Sequence, residues 1–212
     1  MTIELKGTRP LSSGSFRDCY QHPKDAGKCI KVKRPSVPNH VGKVERCIGK
    51  YEPDPNIREY EHYRKLLGTG IPLHCYFPKM YGLVDTDLGT GVCLELVRGS
   101  NGEMPISLEE IVTSRNSAQF DTKYILQEVI KFSCFCAQFG ILASCDEPGN
   151  LGFVRDNKGL RLVSYDLKLR LNKELIPVST LFAGFRRRKI TRRFNKLLNY
   201  LGKNLGYIDN HG

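Results

Sequence analysis

The sequence predicts an α+β fold, with an antiparallel sheet in residues 1–97 and a mainly helical region in residues 98–212. The segment 28–33 alternates between polar and apolar residues, as a half-buried strand does. Two further strand-like segments, 77–84 and 91–97, flank a run of turn-forming residues and predict a hairpin. Beyond them, apolar residues recur at helical spacing instead.

The first half carries one predicted helix among its strands. Residues 11–16 are typical of a turn between extended segments. Prolines and glycines between residues 35 and 55 then indicate a long loop. Asn56 can cap a helix over residues 57–67, and Gly68 ends it.

The second half contains two capped helices before a hairpin. Ser107 and Glu110 form a capping box ahead of a short helix. Asp121 can cap a longer helix with one apolar face, and Gly140 stops that helix. The apolar segments within residues 151–165 then predict two antiparallel strands.

Composition places the chain among soluble globular proteins. It has 212 residues, of which 40% are hydrophobic and 26% charged, enough for one large domain or two small lobes. Residues 1–20 lack the pattern of a secretory signal, and no apolar run approaches the roughly 20 residues that span a bilayer. We therefore expect a cytoplasmic protein. The eight cysteines include no Cys-x-x-Cys pair and mostly have apolar neighbours, so we expect buried reduced thiols.

The last predicted helix, residues 178–201, is strongly basic. The net charge of the chain is +11, and residues 181–212 contribute +7 of it. We expect Phe182, Phe185 and Phe194 on an apolar core face, with the arginines largely off that face. The cationic face is either solvated or binds an acidic protein or an anionic lipid surface; nucleic acid is less favoured, because those aromatics are assigned to the core. The arginines concerned are Arg186, Arg187, Arg188, Arg192 and Arg193.

Small residues near the N-terminus form the first candidate site. Ser13, Gly14 and Ser15 allow backbone N–H groups to approach phosphate oxygens, although an ordinary hairpin turn has the same composition. Lys31, on the following strand, occupies an inward position where a lysine is costly unless it meets an anion. The alternative for Lys31 is a solvated lysine.

The predicted helix and the end of the sheet offer further contacts. Glu59 and Glu61 are about 200° apart on a helical wheel, so only one of them faces inward. Glu59 shares its side with residues that we expect to be buried, and we choose it as the partner of Lys31. At the end of an apolar strand, the backbone groups of Glu95 and Val97 suit adenine, with a plain strand end as the alternative.

Two side chains of the second half can hold Mg²⁺. Asn150 ends a loop, and Asp166 follows an apolar strand 16 residues later. In a protein kinase the corresponding Asn and Asp bind metal, and the catalytic Asp precedes the Asn by five residues. Cys145 occupies that position here, and Asp146 lies beside it.

These features occur in the order found in protein kinases, so the chain resembles the protein-kinase-like superfamily. Within it, the chain is similar to the YrbL family, described as part of the PhoP regulatory network. The residues that carry the resemblance are 11–14, 17–26, 29–31, Arg58, Glu59, Tyr63, 82–91 and 148–150.

The resemblance implies a small bilobal protein-kinase-like fold, with an antiparallel-sheet N-lobe and a reduced helical C-lobe. It implies ATP or ADP bound with Mg²⁺ between the lobes. Lys31 and Glu59 would hold phosphate, and Asn150 and Asp166 would hold the metal. Asp166 and Asp146 are then the candidate catalytic residues.

Cys145 sets the functional expectation, because it stands where a kinase has its catalytic Asp. We expect a pseudokinase-type regulatory or nucleotide-sensing module. One alternative is a slow or atypical phosphotransferase for a small-molecule or envelope-related acceptor, because positioning and electrostatics supply most of phosphoryl-transfer catalysis. A second alternative is an anionic-surface or nucleic-acid binder that uses the basic C-terminal helix.

Overall fold

A computed structural model of the chain describes residues 2–35, 54–113, 120–143, 145, 147–157, 159–167 and 183–206. The chain forms two compact units, Met1–His74 with Pro78–Val97 and Cys75–Phe77 with Arg98–Gly212. In the first unit the elements are β1 (Ser12–Ser13), β2 (Arg17–Gln21), β3 (Lys28–Lys33), α1 (Pro55–Gly68), β4 (Met80–Thr86) and β5 (Gly89–Glu95). In the second they are β6 (Ile106–Ser107), α2 (Leu108–Thr113), α3 (Thr122–Phe139), β7 (Leu151–Asp156), β8 (Gly159–Ser164) and α4 (Ala183–Asn204).

The first unit is built on a five-stranded antiparallel sheet in the order β1-β2-β3-β5-β4. The predicted strand 28–33 is confirmed as β3, in the middle of this sheet. In its register, Lys31 lies opposite Cys19 of β2 and Val92 of β5. Ladders on both sides therefore fix the backbone of Lys31.

The hairpin of β4 and β5 is tighter than the sequence predicts. The strands run to Thr86 and resume at Gly89, so the turn is two residues rather than six, and β4 begins at Met80 rather than at residue 77. Thr86 Oγ1 donates a hydrogen bond of 2.6 Å to the carbonyl of Gly89. Gly89 has a φ of 106°, a conformation that glycine adopts without strain and that closes a two-residue turn.

Both faces of the sheet carry apolar clusters. Because side chains alternate between the faces of a strand, Ile30 and Val32 lie on one face, and Cys29 and Lys31 on the other. The cluster on the first face comprises Leu5, Tyr20, Ile30 and Val32. The cluster on the second comprises Cys29, Val92, Leu94 and Leu96. Lys31 thus emerges beside an apolar surface.

Helix α1 begins two residues earlier than the sequence predicts. Asp54, not Asn56, is its N-cap: the carboxylate accepts from the backbone N–H groups of Asn56 and Ile57 at 2.7 and 3.4 Å. Pro55 at the first position suits this cap, because its missing N–H would have no partner there. Asn56 is fully buried instead, and its Nδ2 donates to the carbonyl of Thr90 at 2.8 Å.

The helix signals of the second unit are confirmed. Ser107 and Glu110 form the capping box of α2, with the N–H of Ser107 at 2.8 Å from Glu110 Oε2 and the N–H of Glu110 at 3.1 Å from Ser107 Oγ. Asp121 caps α3, whose C-cap Gly140 has a φ of 66°. The predicted hairpin forms β7 and β8, with β6 on the outer side of β7.

Helix α4 packs its apolar face into the second unit. Ile190, Phe194, Leu197 and Leu201 are buried. Phe194 meets Phe132 of α3 edge-on, with ring centroids 5.5 Å apart. Phe185 is 54% exposed, so its assignment to this face is wrong: nine residues at about 100° each place it opposite Phe194. The predicted start of the helix at residue 178 and Phe182 lie outside the described residues.

The cysteines differ in burial. Of those that the structure describes, Cys29, Cys93, Cys136 and Cys145 are buried, Cys19 is partly buried, and Cys75 and Cys134 are exposed. Cys47 lies outside the described residues. Among the described helices, none is long and apolar enough to cross a membrane.

Candidate functional site

The loop of Ser13, Gly14 and Ser15 is a tight turn between β1 and β2. The N–H of Gly14 donates to the carbonyl of Arg17 at 2.8 Å. Arg34 braces the turn, because its guanidinium donates to the carbonyl of Gly14 at 3.2 Å. All three loop residues are exposed, so the loop offers backbone groups at the surface of the first unit.

Lys31 and Glu59 form an ion pair between strand β3 and helix α1. Lys31 Nζ lies 3.9 Å from Glu59 Oε1. The Glu59 side chain is 5% exposed and that of Lys31 is 15% exposed, whereas Glu61 lies on the exposed side of the helix. The helical spacing therefore predicts the inward glutamate correctly.

Arg17 is a second cation on the same carboxylate. Its guanidinium forms an ion pair with Glu59 Oε2 and donates to Asn56 Oδ1 at 3.4 Å. The sequence shows Arg17 two residues before Cys19, and Cys19 lies opposite Lys31, so strand alternation places Arg17 and Lys31 on one face. Strand alternation along the sequence therefore indicates the face on which Arg17 lies. Its contact with Glu59 joins residues 42 positions apart and is seen only in the folded structure.

The cations also perturb a neighbouring thiol. A hydrogen bond from the Cys29 thiol, helped by the charges of Lys31 and Arg17, lowers the pKa of Cys19 to about 7 against the opposing effect of burial. The same hydrogen bond and burial raise the pKa of Cys29. Cys19 is therefore substantially thiolate at neutral pH, beside the Lys31–Glu59 pair.

Glu95 and Val97 occupy the end of the sheet. Glu95 is the last residue of β5, opposite Lys28, and its carbonyl oxygen lies 3.7 Å from the Cys29 sulfur. Its carboxylate accepts from the N–H of Lys79 at 3.0 Å. Val97 is 5% exposed and ends the first unit. These contacts tie the predicted adenine-binding segment to the sheet.

Asn150 and Asp166 lie at the same end of the β7–β8 hairpin in the second unit. The ladder pairs Leu151 with Ser164, and the N–H of Tyr165 extends it by donating to the carbonyl of Asn150 at 2.9 Å. Asp166 is the next residue. The fold thus brings the backbone at Asn150 next to the residue that precedes Asp166, although Asn150 and Asp166 are 16 residues apart in the sequence.

The loop before Asn150 departs from the kinase pattern in its charges. Cys145, at the position of the catalytic Asp, is buried with 2% exposure. Glu147 is exposed, and its Oε2 accepts from Asn150 Nδ2 at 3.0 Å. Asp146 lies outside the described residues. The sequence does not predict this hydrogen bond from Asn150 to Glu147.

The donor sets fit a magnesium nucleotide. Mg²⁺ prefers oxygen ligands and is usually held by one or two carboxylates together with phosphate oxygens. Asn150 and Asp166 supply an amide and a carboxylate oxygen from one hairpin end. Lys31 supplies a cation that a buried carboxylate orients, as a phosphate contact requires. The described residues contain no cluster of three or more His, Cys, Asp or Glu side chains that could hold a metal ion.

The chain has a protein-kinase-like fold, in which an antiparallel sheet with a lysine paired to a helix glutamate is followed by a helical half with an Asn–Asp hairpin. The Rio2 kinase–ADP/Mg²⁺–phosphoaspartate complex from Chaetomium thermophilum matches 100% of this chain and 58% of its own, with a TM-score of 0.56 and 12% sequence identity. This likeness shows the fold.

The chain belongs to the YrbL family, because the family described as PhoP regulatory network protein YrbL matches residues 3–202. The YrbL proteins of Escherichia coli K12 and Shigella flexneri are each 32% identical to it over 108 residues. That match covers 51% of this chain and 45% of theirs, so the chain spans about half the length of these relatives.

Proposed function

We propose that this protein is a nucleotide-sensing regulatory module of the pseudokinase type, which binds ATP or ADP with Mg²⁺. The observation that carries the proposal is the Lys31–Glu59 pair, with its 3.9 Å separation and nearly buried carboxylate. A nearly buried glutamate this close keeps the ammonium group of Lys31 on the α1 side of strand β3, where its charge is available to a phosphate.

Each unit supplies its own candidate contacts. In the first unit, Lys31 contacts phosphate, the turn of Ser13, Gly14 and Ser15 offers N–H groups, and Glu95 and Val97 contact adenine. In the second unit, Asn150 and Asp166 hold the metal, which neutralises phosphate charge when bound. The solved Rio2 complex with ADP and Mg²⁺ supports this assignment at the level of the fold.

The loop chemistry favours sensing over transfer. A thiol buried to 2% exposure stands at the catalytic position in Cys145, and it cannot replace a carboxylate base. Loss of general-base help typically lowers a rate by about 10²- to 10⁴-fold. The alternative is a slow phosphotransferase for a small-molecule or envelope-related acceptor, with Asp166 and the neighbouring Asp146 as its catalytic residues.

Nucleotide binding is tested by thermal unfolding with ATP, ADP and AMP, each with and without Mg²⁺. A ligand at 100-fold its Kd adds about 2.7 kcal/mol to the free energy of unfolding. We expect Mg²⁺-dependent stabilisation by ATP or ADP, lost in Lys31→Ala and reduced in Asp166→Ala. Lys28→Ala is the matched control, because Lys28 shares β3 but lies on its other face. The proposal fails if none of the nucleotides stabilises the protein.

Phosphoryl transfer is tested separately. Release of phosphate from ATP and autophosphorylation are measured for the unmodified protein and for Asp146→Ala. We expect no turnover above background in either protein although ATP binds. Turnover that disappears in Asp146→Ala would establish the phosphotransferase and refute the sensing role.

A further inference from the structure

The exposed side of α4 carries charge that the nucleotide site does not use. We define the cationic face by its six exposed members: Arg188, Arg192, Asn195, Lys196, Asn199 and Lys203. Successive steps of four residues advance about 6 Å along a helix and turn it by only about 40°, so these side chains form one stripe. The 22 residues of α4 include no Asp or Glu, so the helix itself provides no anion to neutralise the stripe.

Packing of the opposite, apolar side of α4 fixes the orientation of the cationic face. The opposite side of α4 is the buried row Ile190, Phe194, Leu197 and Leu201, and Phe194 packs against Phe132. A helix that lies in a membrane surface must bury its apolar side among lipids. In α4 that side is already committed to the protein core, so lipid is a poor occupant.

The composition of the cationic face matches a phosphodiester backbone. Arginine, lysine and asparagine are among the side chains that contact nucleic-acid phosphates and sugars. Asn195 and Asn199 alternate with Arg192, Lys196 and Lys203 along the stripe, so hydrogen-bond donors and charges are interleaved.

Phe185 removes one part of the reason for disfavouring nucleic acid. The sequence assigns this aromatic to the core, but it is 54% exposed at the N-terminal end of α4. At about 100° per residue it lies within about 60° of Arg188, on the cationic side of the helix. An exposed aromatic beside cations is typical of sites that bind nucleic-acid strands.

We propose that the cationic face of α4 binds the phosphate backbone of nucleic acid without reading its sequence, independently of the nucleotide site. Electrostatic contacts of this kind release counterions, and the slope of log K against log salt is about −0.9 for each phosphate contacted in duplex DNA. Four cations therefore predict a slope of about −3 to −4.

The experiment is fluorescence anisotropy of labelled duplex DNA, duplex RNA and single-stranded RNA with the full chain over a range of salt. The test variant carries Arg188→Gln, Arg192→Gln and Lys196→Gln. The control variant carries Lys6→Gln, Lys24→Gln and Lys65→Gln, three exposed cations of the first unit, and loses the same net charge. We expect at least tenfold weaker binding and a salt slope smaller by about 3 in the test variant alone.

Three results would overturn the proposal: absence of binding at low salt, equal weakening in both variants, or preferential binding to phosphatidylglycerol vesicles or to polyglutamate. All six substituted side chains are exposed, so both variants are expected to fold, and thermal unfolding verifies it. Lys31→Ala provides the separation from the nucleotide site, because nucleic-acid binding by the cationic face must survive it.

Discussion

Glu59→Gln is the substitution that most directly tests the electrostatics of the first unit. It keeps the shape of the side chain and removes the negative charge that two cations share. Arg17 and Lys31 are then left facing each other, with side chains only 15% exposed. Breaking a buried ion pair by removing one partner costs about 3–5 kcal/mol.

The magnitude expected here is at the lower end of that range. Glu59 is more deeply buried than its partners, so water can partly rehydrate the two cations after the change, and we expect a loss of about 3 kcal/mol. For a chain of this size, 1 kcal/mol corresponds to about 2–4 °C, so the unfolding midpoint of the protein falls by about 6–12 °C.

The matched control is Glu61→Gln, two residues away on the exposed side of α1. A surface change of this kind stays within about 0.5 kcal/mol. Calorimetry and chemical denaturation compare the free energies of unfolding of the two variants. A double-mutant cycle of Arg17→Gln, Glu59→Gln and the double variant measures the coupling energy between Arg17 and Glu59. If Glu59→Gln is as mild as Glu61→Gln, the shared carboxylate does not hold α1 on the sheet.

Three further changes follow from the structure. The rate of Cys19 alkylation, measured by mass spectrometry of the peptide that contains it, is expected to reach half its maximum near pH 7. Cys29→Ala removes the hydrogen bond to Cys19 and should move this midpoint toward pH 9.0; an unchanged midpoint refutes this cause. Asp54→Ala removes the cap of α1 and should cost about 1 kcal/mol in chemical denaturation, and a neutral result would exclude the cap. Gly152→Ala places a Cβ 2.8 Å from the ring of Tyr165 and should destabilise the second unit by about 1–3 kcal/mol. In the control Gly149→Ala, the Cβ meets only the carboxylate end of the exposed Glu109, so the loss of stability should be smaller. Equal shifts of the two thermal unfolding midpoints contradict this reasoning.

Local signals predicted the helices of the second unit well. The capping box of Ser107 and Glu110, the cap Asp121 and the stop Gly140 act within four residues of the backbone groups that they satisfy. Such contacts form in any surrounding, so the sequence alone determines them.

Long-range contacts decided the features that were predicted wrongly. Asp54 and Asn56 are both good helix caps, and the carbonyl of Thr90 on β5 selects between them by holding Asn56 in the core. The pairing of Arg17 with Glu59 likewise depends on where α1 packs. Only at Phe185 was the error local, because helical geometry already placed it away from Phe194.

The candidate metal ligands illustrate the same division. A strand-like pattern predicted the hairpin that ends at Asp166, and the observed ladder brings Asn150 beside it. The hydrogen bond between Asn150 and Glu147 could not be predicted, because it depends on the turn geometry of residues 147–150.

The Glu59 carboxylate pairs with two cations, and this affects how an anion could bind in the first unit. A buried carboxylate with a single cationic partner has no counterion left if that partner turns toward a ligand. A buried charge without a counterion is strongly unfavourable. With Arg17 on one oxygen and Lys31 near the other, either cation can turn away while the carboxylate keeps the second. Partner exchange then proceeds without a bare charge at any stage, and Arg17 acts as the counterion in reserve.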